Sequence, residues 1–189
     1  TPRKLVEGVS PSWGEGAGPG PSVASTKLRQ KRGKVPVKVA CAGNETCSGT
    51  LRIKKGIHFI DDPAFKGKKR ELRAHDYAYS IGRFLDPKNR SPYAFIFEGI
   101  AAIETPDRHT LVIRLKRPDL NFSHVLAFSL SGAVAREAIE HYGDESAAKP
   151  VGSGPFRLKS YTRSSKIVLE ANPGYREVMR DGARLPRIG

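Results

Sequence analysis

The histidines and the paired carboxylates have the most obvious potential for chemistry, but their spacing matches no catalytic or metal-binding pattern. Asp61 and Asp62 could form an acid/base or metal-binding pair, although neighbouring carboxylates at a strand end usually face water. His75 and Asp76 are adjacent at the start of a predicted helix, which is typical of a surface position. The five histidines share no ligand spacing: His58, His75, His109, His124 and His141.

A glycine-rich segment at residues 152–155 is the remaining candidate for a reactive or phosphate-binding loop. This Gly-Ser-Gly-Pro sequence lacks a following Lys-Ser or Lys-Thr and precedes a strand rather than a helix, so it is a poor phosphate loop. The chain also lacks a Gly-x-Ser-x-Gly nucleophile motif. These patterns therefore indicate a mixed α+β domain with a basic arm and no evident catalytic site.

Cys41 and Cys47 are the two cysteines of the chain, and three states are open to them. Two thiols cannot complete a four-ligand zinc site without histidines, and His58 is isolated. A short-loop disulfide is possible in an oxidising compartment, and free thiols are the other alternative. Strand-like alternation on both sides of Gly43-Asn44 predicts that the two cysteines lie across one hairpin, where they can be bridged.

The charge of the chain is strongly positive and unevenly distributed. Lys and Arg number 33 against 19 Asp and Glu, which gives a net charge of +14. Residues 1–55 carry about eight of these positive charges in excess. Such a balance favours nucleic acid, anionic lipid or acidic protein as a partner, although a solvated basic tail is the simpler interpretation. The basic residues of 27–38 and 66–73 are the candidate contacts for nucleic acid or a ribosomal surface.

Pattern analysis divides the chain into a basic Gly/Pro-rich arm at residues 1–34 and an α+β domain at residues 35–189. We expect this arm to be flexible and its residues 1–30 to pack little against the domain. No apolar run is long enough for a membrane span. Alternation predicts strands at 35–41, 49–54, 57–60, 110–115, 156–161 and 166–170, and apolar patterning predicts helices at 74–85, 122–130 and 134–142. Asp86-Pro87 should end the first helix, and Gly143 should end the last one in the left-handed conformation. The strands at 51–60, 110–115, 156–161 and 166–170 are expected to form one mixed sheet covered by the helices at 74–85 and 134–142.

Four segments, in order, resemble the extracytoplasmic solute-binding proteins of peptide and nickel ABC transporters, known as family 5. Each segment matches a short family pattern, such as a strand followed by Gly and an acidic turn, or Gly-x-Gly-Pro followed later by Asn-Pro-x-Tyr. They are residues 53–62 (IKKGIHFIDD), residues 71–87 (ELRAHDYAYSIGRFLDP), residues 107–118 (DRHTLVIRLKRP), and residues 150–158 (PVGSGPFRL) with 167–175 (IVLEANPGY). The resemblance covers about residues 51–176.

The resemblance implies the N-terminal lobe of a class II periplasmic-binding-protein-like fold, in a truncated or composite form. It implies a periplasmic or extracytoplasmic protein that delivers oligopeptides or similar solutes to an ABC permease. Such a protein is expected not to be an enzyme and to hold no cofactor. The family's motifs chiefly set fold and hinge geometry, so no ligand contact is named. The positions that carry this fold or hinge role are Gly152, Gly154, Pro155, Asn172 and Pro173. Asn172-Pro173 should end the final strand with a side-chain-to-backbone turn. A basic nucleic-acid- or ribosome-binding module is the alternative function.

Overall fold

The structure is a computed structural model that describes residues 37–42, 46–119, 121–176, 178–180 and 182–185. The predicted arm at residues 1–34 and the predicted turn at Gly43-Asn44 lie outside the described residues. Five short 3-10 helices connect the main elements: Pro63–Phe65, Pro87–Asn89, Ala94–Ile96, Ser129–Ser131 and Gly143–Ala147. No helix among the described residues combines the length and apolar character needed to cross a bilayer.

Four antiparallel strands form the main sheet, in the order β1-β2-β4-β3. The strands are β1 (Val37–Ala42), β2 (Thr46–Arg52), β3 (Ile100–Asp107) and β4 (Thr110–Leu115). The predicted first hairpin is confirmed by the β1–β2 pairing, and β4 matches the predicted strand exactly in its bounds. The sequence patterns missed β3, which contains Pro106, is interrupted by two irregularities in its pairing, and lies at the sheet edge.

Helix α1 (Ala74–Leu85) covers the sheet and closes the larger of two apolar clusters. Its bounds agree with the predicted helix, and Asp86-Pro87 ends it as expected. Its buried face includes Ala74 and Ile81. In the cluster these pack with residues of β3 and β4 and with Phe97, which lies just before β3. The largest fully buried apolar side chains of this cluster are Phe97, Ile81, Leu111 and Ile113.

A second apolar cluster lies around helix α3 (Arg136–Tyr142), which packs against the 3-10 turn at Pro63–Phe65 rather than on the sheet. The cluster joins Phe59, Phe65, Leu72, Ala135, Ala138 and Val151. The predicted helix at 122–130 is present as α2 (Phe122–Ala127). The predicted strand at 57–60 is wrong, because this segment forms only a single antiparallel bridge between His58 and Glu71.

Gly143 ends α3, but not in the left-handed conformation that was predicted. Its φ of +49° is positive, whereas its ψ is −122° rather than a left-handed value. The chain continues from this residue directly into the 3-10 helix Gly143–Ala147. A residue with a Cβ is strained at this φ and ψ, so the position favours glycine. The prediction that glycine ends the helix here was right, but the conformation that favours it is not the left-handed one.

The remaining strands form two separate hairpins. Strands β5 (Phe156–Thr162) and β6 (Lys166–Ala171) pair with each other, as predicted, and β7 (Val178–Arg180) pairs with β8 (Ala183–Leu185). The α+β class is confirmed. The prediction of one mixed sheet is wrong, because β5 and β6 do not join the main sheet and every described strand pair is antiparallel.

Candidate functional site

A cluster of three charged side chains joins the starts of α1 and α3. The guanidinium of Arg70 donates to both carboxylate oxygens of Asp76, at 2.6 and 3.1 Å, and to both oxygens of Glu137, at 2.8 and 3.4 Å. Asp76 is 2% exposed and also accepts the backbone N–H of Arg73 at 2.7 Å. Arg70 therefore fixes the first turn of α1 against α3, although residues 66–73 were predicted as a nucleic-acid-binding loop.

The electrostatics of this cluster favour the ionised states of Arg70 and Glu137. Burial lowers the pKa of Arg70, but hydrogen bonds and charge from Glu137 and Asp76 outweigh it and raise the pKa overall. The hydrogen bond from Arg70 lowers the pKa of Glu137 below its ordinary value, against a smaller opposing effect of burial. Each charge of the cluster is thus matched by an opposite charge within it, which is typical of ion pairs that stabilise a fold.

The segment at residues 152–155 meets the end of β6 through Asn172, a buried amide that is 7% exposed. The Asn172 side chain donates to the carbonyl of Gly154 at 2.8 Å and accepts the backbone N–H of Gly174 at 3.0 Å. Its own backbone N–H donates to the carbonyl of Pro155 at 2.9 Å. Asn172 thus closes the base of the β5–β6 hairpin and forms the predicted side-chain-to-backbone turn before Gly174.

The glycines of this segment are not required by the conformation observed. Gly152 and Gly154 are absent from the described glycines with positive φ. A Cβ at Gly154 would meet nothing within 4 Å, and one at Gly152 would meet only the Gly154 nitrogen, at 3.9 Å. The hinge role assigned to Gly152, Gly154, Pro155, Asn172 and Pro173 stays a prediction.

A cleft of about 310 Å³ lies beside α3, between the segments 129–135 and 149–152. Its volume is at the lower end of the range of small-molecule sites. The lining is mostly apolar and backbone, with Ser129, Ser146 and Lys149 as its polar side chains. The Lys149 ammonium is paired with Glu145 at 2.6 Å. No sequence pattern predicted this cleft. Its lining consists mainly of ordinary apolar residues, such as Ala133 and Val134, which carry no motif.

A wider groove of about 650 Å³ follows the paired ends of β3 and β4. Its lining holds charges of both signs: Glu98, Lys116, Arg117 and Asp119, together with Gly99, Leu115 and Pro118. This mixture of charges selects neither an anion nor a cation. The groove is therefore a weaker candidate for a binding site than the cleft beside α3.

The other predicted site residues are distributed through the fold. Cys41 lies directly opposite Cys47 in the β1–β2 register, and their disulfide stays a prediction. Asp62 accepts from the Tyr142 hydroxyl at 3.0 Å and caps the 3-10 turn through the Ala64 N–H at 2.9 Å. The structure finds no group of three or more potential metal-binding side chains within the part of the chain that it describes.

The antiparallel sheet and its covering helix resemble part of the fold of periplasmic binding proteins. The peptide-binding protein DppA from Helicobacter pylori, solved with the peptide STSA, superposes on 72% of this chain with a TM-score of 0.61 and 27% identity. The chain belongs to the bacterial extracellular solute-binding proteins, family 5, whose "Middle" model matches residues 46–188. The resemblance noted in the sequence is thereby confirmed.

Two curated relatives are similar over much of this chain. Di/tripeptide-binding protein 2 from Pseudomonas aeruginosa is 31% identical over 142 residues, which cover 67% of this chain and 26% of that protein. The glutathione-binding protein GsiB from Escherichia coli K12 is 29% identical over 126 residues, which cover 67% of this chain and 23% of that protein. The H. pylori DppA match covers 30% of that structure. The chain thus spans about a quarter of the length of the relatives it matches.

Proposed function

We propose that this chain supplies one wall of the ligand site of an extracytoplasmic solute-binding protein that delivers peptide-like solutes to an ABC permease. The observation that carries this proposal is the family match over residues 46–188. Two relatives are named for the di- and tripeptides or the glutathione that they bind, which supports a peptide-like ligand. The family's description as extracellular supports a location outside the cytoplasm.

The cleft beside α3 is the proposed wall. Its apolar lining suits the side chain of a short peptide, and the backbone around Gly132 and Gly152 suits polar contact with the peptide main chain. The cleft of about 310 Å³ is open to solvent on one side, so it would cover only one side of a short peptide. Because a half-site recovers little of the entropy lost on association, we expect weak binding by this chain alone.

The experiment is a titration of the isotopically labelled chain with trialanine and with glutathione, followed by amide NMR. Expected are shifts of amides lining the cleft, among them Gly132, Ala133 and Gly152, with a Kd weaker than about 100 μM. Ser146→Trp, which narrows the cleft, should abolish these shifts. Ser160→Trp, the same substitution at an exposed position of β5, should not.

Three results would contradict the proposal. Shifts scattered away from the cleft, or no shift at millimolar ligand, would exclude the cleft as the wall. Micromolar or tighter binding would mean that the chain holds a complete site. Binding that weakens steeply with salt would instead indicate a charge-driven interaction, as in the nucleic-acid alternative, which no described contact favours.

A further inference from the structure

The cleft beside α3 carries a single charged residue among the described residues that line it, and that residue is Lys149. No carboxylate belongs to this lining, whose other polar side chains are the hydroxyls of Ser129 and Ser146. The lining therefore offers a ligand one positive charge and no negative charge. Such a surface favours a negatively charged ligand group over a positively charged one.

Two neighbouring side chains fix the position of the Lys149 ammonium. It lies 2.6 Å from a carboxylate oxygen of Glu145, four residues earlier, and 5.1 Å from the centre of the Tyr142 ring. Tyr142 is held in turn, because its hydroxyl lies 3.0 Å from each carboxylate oxygen of Asp62. The ammonium is thus positioned before a ligand arrives, which reduces the entropy lost when it binds one.

The Glu145 carboxylate is a partner that another carboxylate can replace. The Glu145 side chain is 69% exposed and that of Lys149 is 52% exposed. An ion pair as exposed as this one contributes little free energy, so its exchange costs little. The hydrogen bond between the two groups raises the pKa of Lys149 and lowers the pKa of Glu145, so both are ionised at neutral pH. A ligand carboxylate would therefore meet a charged ammonium.

We propose that Lys149 binds the carboxylate of the ligand, which takes the place of Glu145, and that the cleft therefore selects peptides with a free C-terminal carboxylate. The apolar lining, such as Val134 and Ile139, would contact the side chain next to that carboxylate. Charge-assisted hydrogen bonds of this kind are stronger than those between neutral groups. This inference rests on the proposed ligand site, to which it adds a residue and the ligand group that it recognises.

The test compares trialanine with trialanine amide, two peptides that differ by one negative charge, in amide NMR titrations of the labelled chain. Both should shift amides that line the cleft, such as Gly132 and Gly152. Trialanine should bind at least about threefold more tightly than its amide. Salt at about 1 M should reduce this difference, because exposed charges are screened.

Substitutions of Lys149 identify the residue responsible. Lys149→Gln should bind the two peptides equally, whereas Lys149→Arg, which keeps the charge, should retain the preference for trialanine. Lys166→Gln removes the same charge from an exposed position of β6 and should also retain the preference. Since these side chains are exposed, the variants should remain folded, which circular dichroism checks.

Glu145→Gln should have the opposite effect. It removes the carboxylate that competes for Lys149, so trialanine should bind about twofold or more tightly than it binds the unmodified chain, with little change for the amide. Glu98→Gln is the control, since it removes an exposed carboxylate from the wider groove at the ends of β3 and β4. It should leave the affinity for trialanine unchanged.

The titrations separate a failure of this inference from a failure of the proposed ligand site. Equal affinities of the two peptides, with shifts in the cleft, would exclude a carboxylate contact with Lys149 and leave the ligand site intact. A preference for trialanine that persists in Lys149→Gln would assign the carboxylate to another cation. No shift of the cleft amides with either peptide would overturn both proposals.

Discussion

The guanidinium of Arg70 and the carboxylate of Asp76 are joined by two hydrogen bonds, at 2.6 and 3.1 Å, inside the junction of α1 and α3. Arg70 is 15% exposed and Asp76 2%, so solvent screens this pair little. Asp76 also accepts the N–H of Arg73, which would otherwise be one of the unpaired donors at the start of α1. The Asp76 carboxylate thus neutralises the mostly buried Arg70 and also accepts a hydrogen bond from the first turn of α1.

Asp76→Ala should therefore lower the free energy of unfolding by about 3 kcal/mol, because it leaves Arg70 partly unpaired and removes the cap of α1. Urea unfolding of the single variants and of Asp76→Ala/Arg70→Met measures the coupling between the two side chains. The double variant should be less destabilised than the sum of the singles. Strict additivity would mean that the pair makes no energetic contribution of its own.

The Glu137 carboxylate predicts a dependence of stability on pH. Its pKa is lowered in the folded state, chiefly by the Arg70 hydrogen bond, so ionised Glu137 stabilises the fold above its ordinary pKa of about 4.5. That stabilisation is lost as the pH falls through the lower folded pKa. Since Glu137 is 44% exposed, its size should be below about 1 kcal/mol.

Glu137→Gln should therefore be less stable than the unmodified chain at pH 7 and equal to it near pH 3. Thermal unfolding across this range measures the difference. Glu140→Gln, at an exposed carboxylate of the same helix, is the control and should change stability little at either pH. A difference between Glu137→Gln and the unmodified chain that grows toward acid pH would contradict the assigned sign.

The elements that the sequence predicted well are those whose apolar spacing is dense and local. Strand β4 consists largely of β-branched and apolar residues, and α1 has apolar residues at helical spacing, so local pattern sufficed for both. Strand β3 has few large apolar residues and contains Pro106, and it exists because it pairs with β4. Such pairing depends on tertiary contacts, which sequence periodicity does not encode. The same holds for the separation of β5 and β6 from the main sheet.

The charged cluster was missed for a similar reason. Asp76 was interpreted as part of a surface pair with His75 at a helix start, which is wrong because Asp76 is 2% exposed. Arg70 was interpreted only as part of a basic loop. Their shared partner, Glu137, lies 67 residues from Arg70 in the sequence, and no local motif links the two. By contrast, the Asn172 turn was predicted because its partner, Gly174, is only two residues away.

Replacing Gly154 and Gly143 by alanine tests whether each position needs the backbone conformations that only glycine adopts easily. Gly154→Ala should change stability by less than about 0.5 kcal/mol, because a Cβ would meet nothing within 4 Å and φ is not positive. Gly143→Ala should cost about 1–2 kcal/mol, because the φ of +49° strains any residue with a Cβ. Chemical denaturation measures both. A large loss at Gly154 would indicate that its conformation differs from the one described.

The β1–β2 hairpin predicts a bridge between Cys41 and Cys47. Residues directly opposite each other on antiparallel strands have Cα atoms about 4.5–5.5 Å apart, which suits a disulfide. Protein purified without reductant should have an intact mass lower by two hydrogen atoms than the reduced chain. Reduction should lower the free energy of unfolding by about 2 kcal/mol, whereas Cys41→Ser/Cys47→Ser should not respond to reductant. An unchanged mass would contradict the bridge.

The base of the β5–β6 hairpin depends on Asn172, whose side chain bonds to both Gly154 and Gly174. Asn172→Ala would leave the Gly154 carbonyl and the Gly174 N–H without these partners in a buried position, so we expect a loss of about 2 kcal/mol. Asn172→Asp keeps the acceptor for Gly174 but places a carboxylate against the Gly154 carbonyl, and should be no less destabilising. Asn89→Ala is the control, since Asn89 is exposed and donates a single hydrogen bond to the Arg83 carbonyl. Hydrogen exchange of the β5 and β6 amides measures the effect locally, and protection that is equal in Asn172→Ala and Asn89→Ala would mean that the hairpin is held by other contacts.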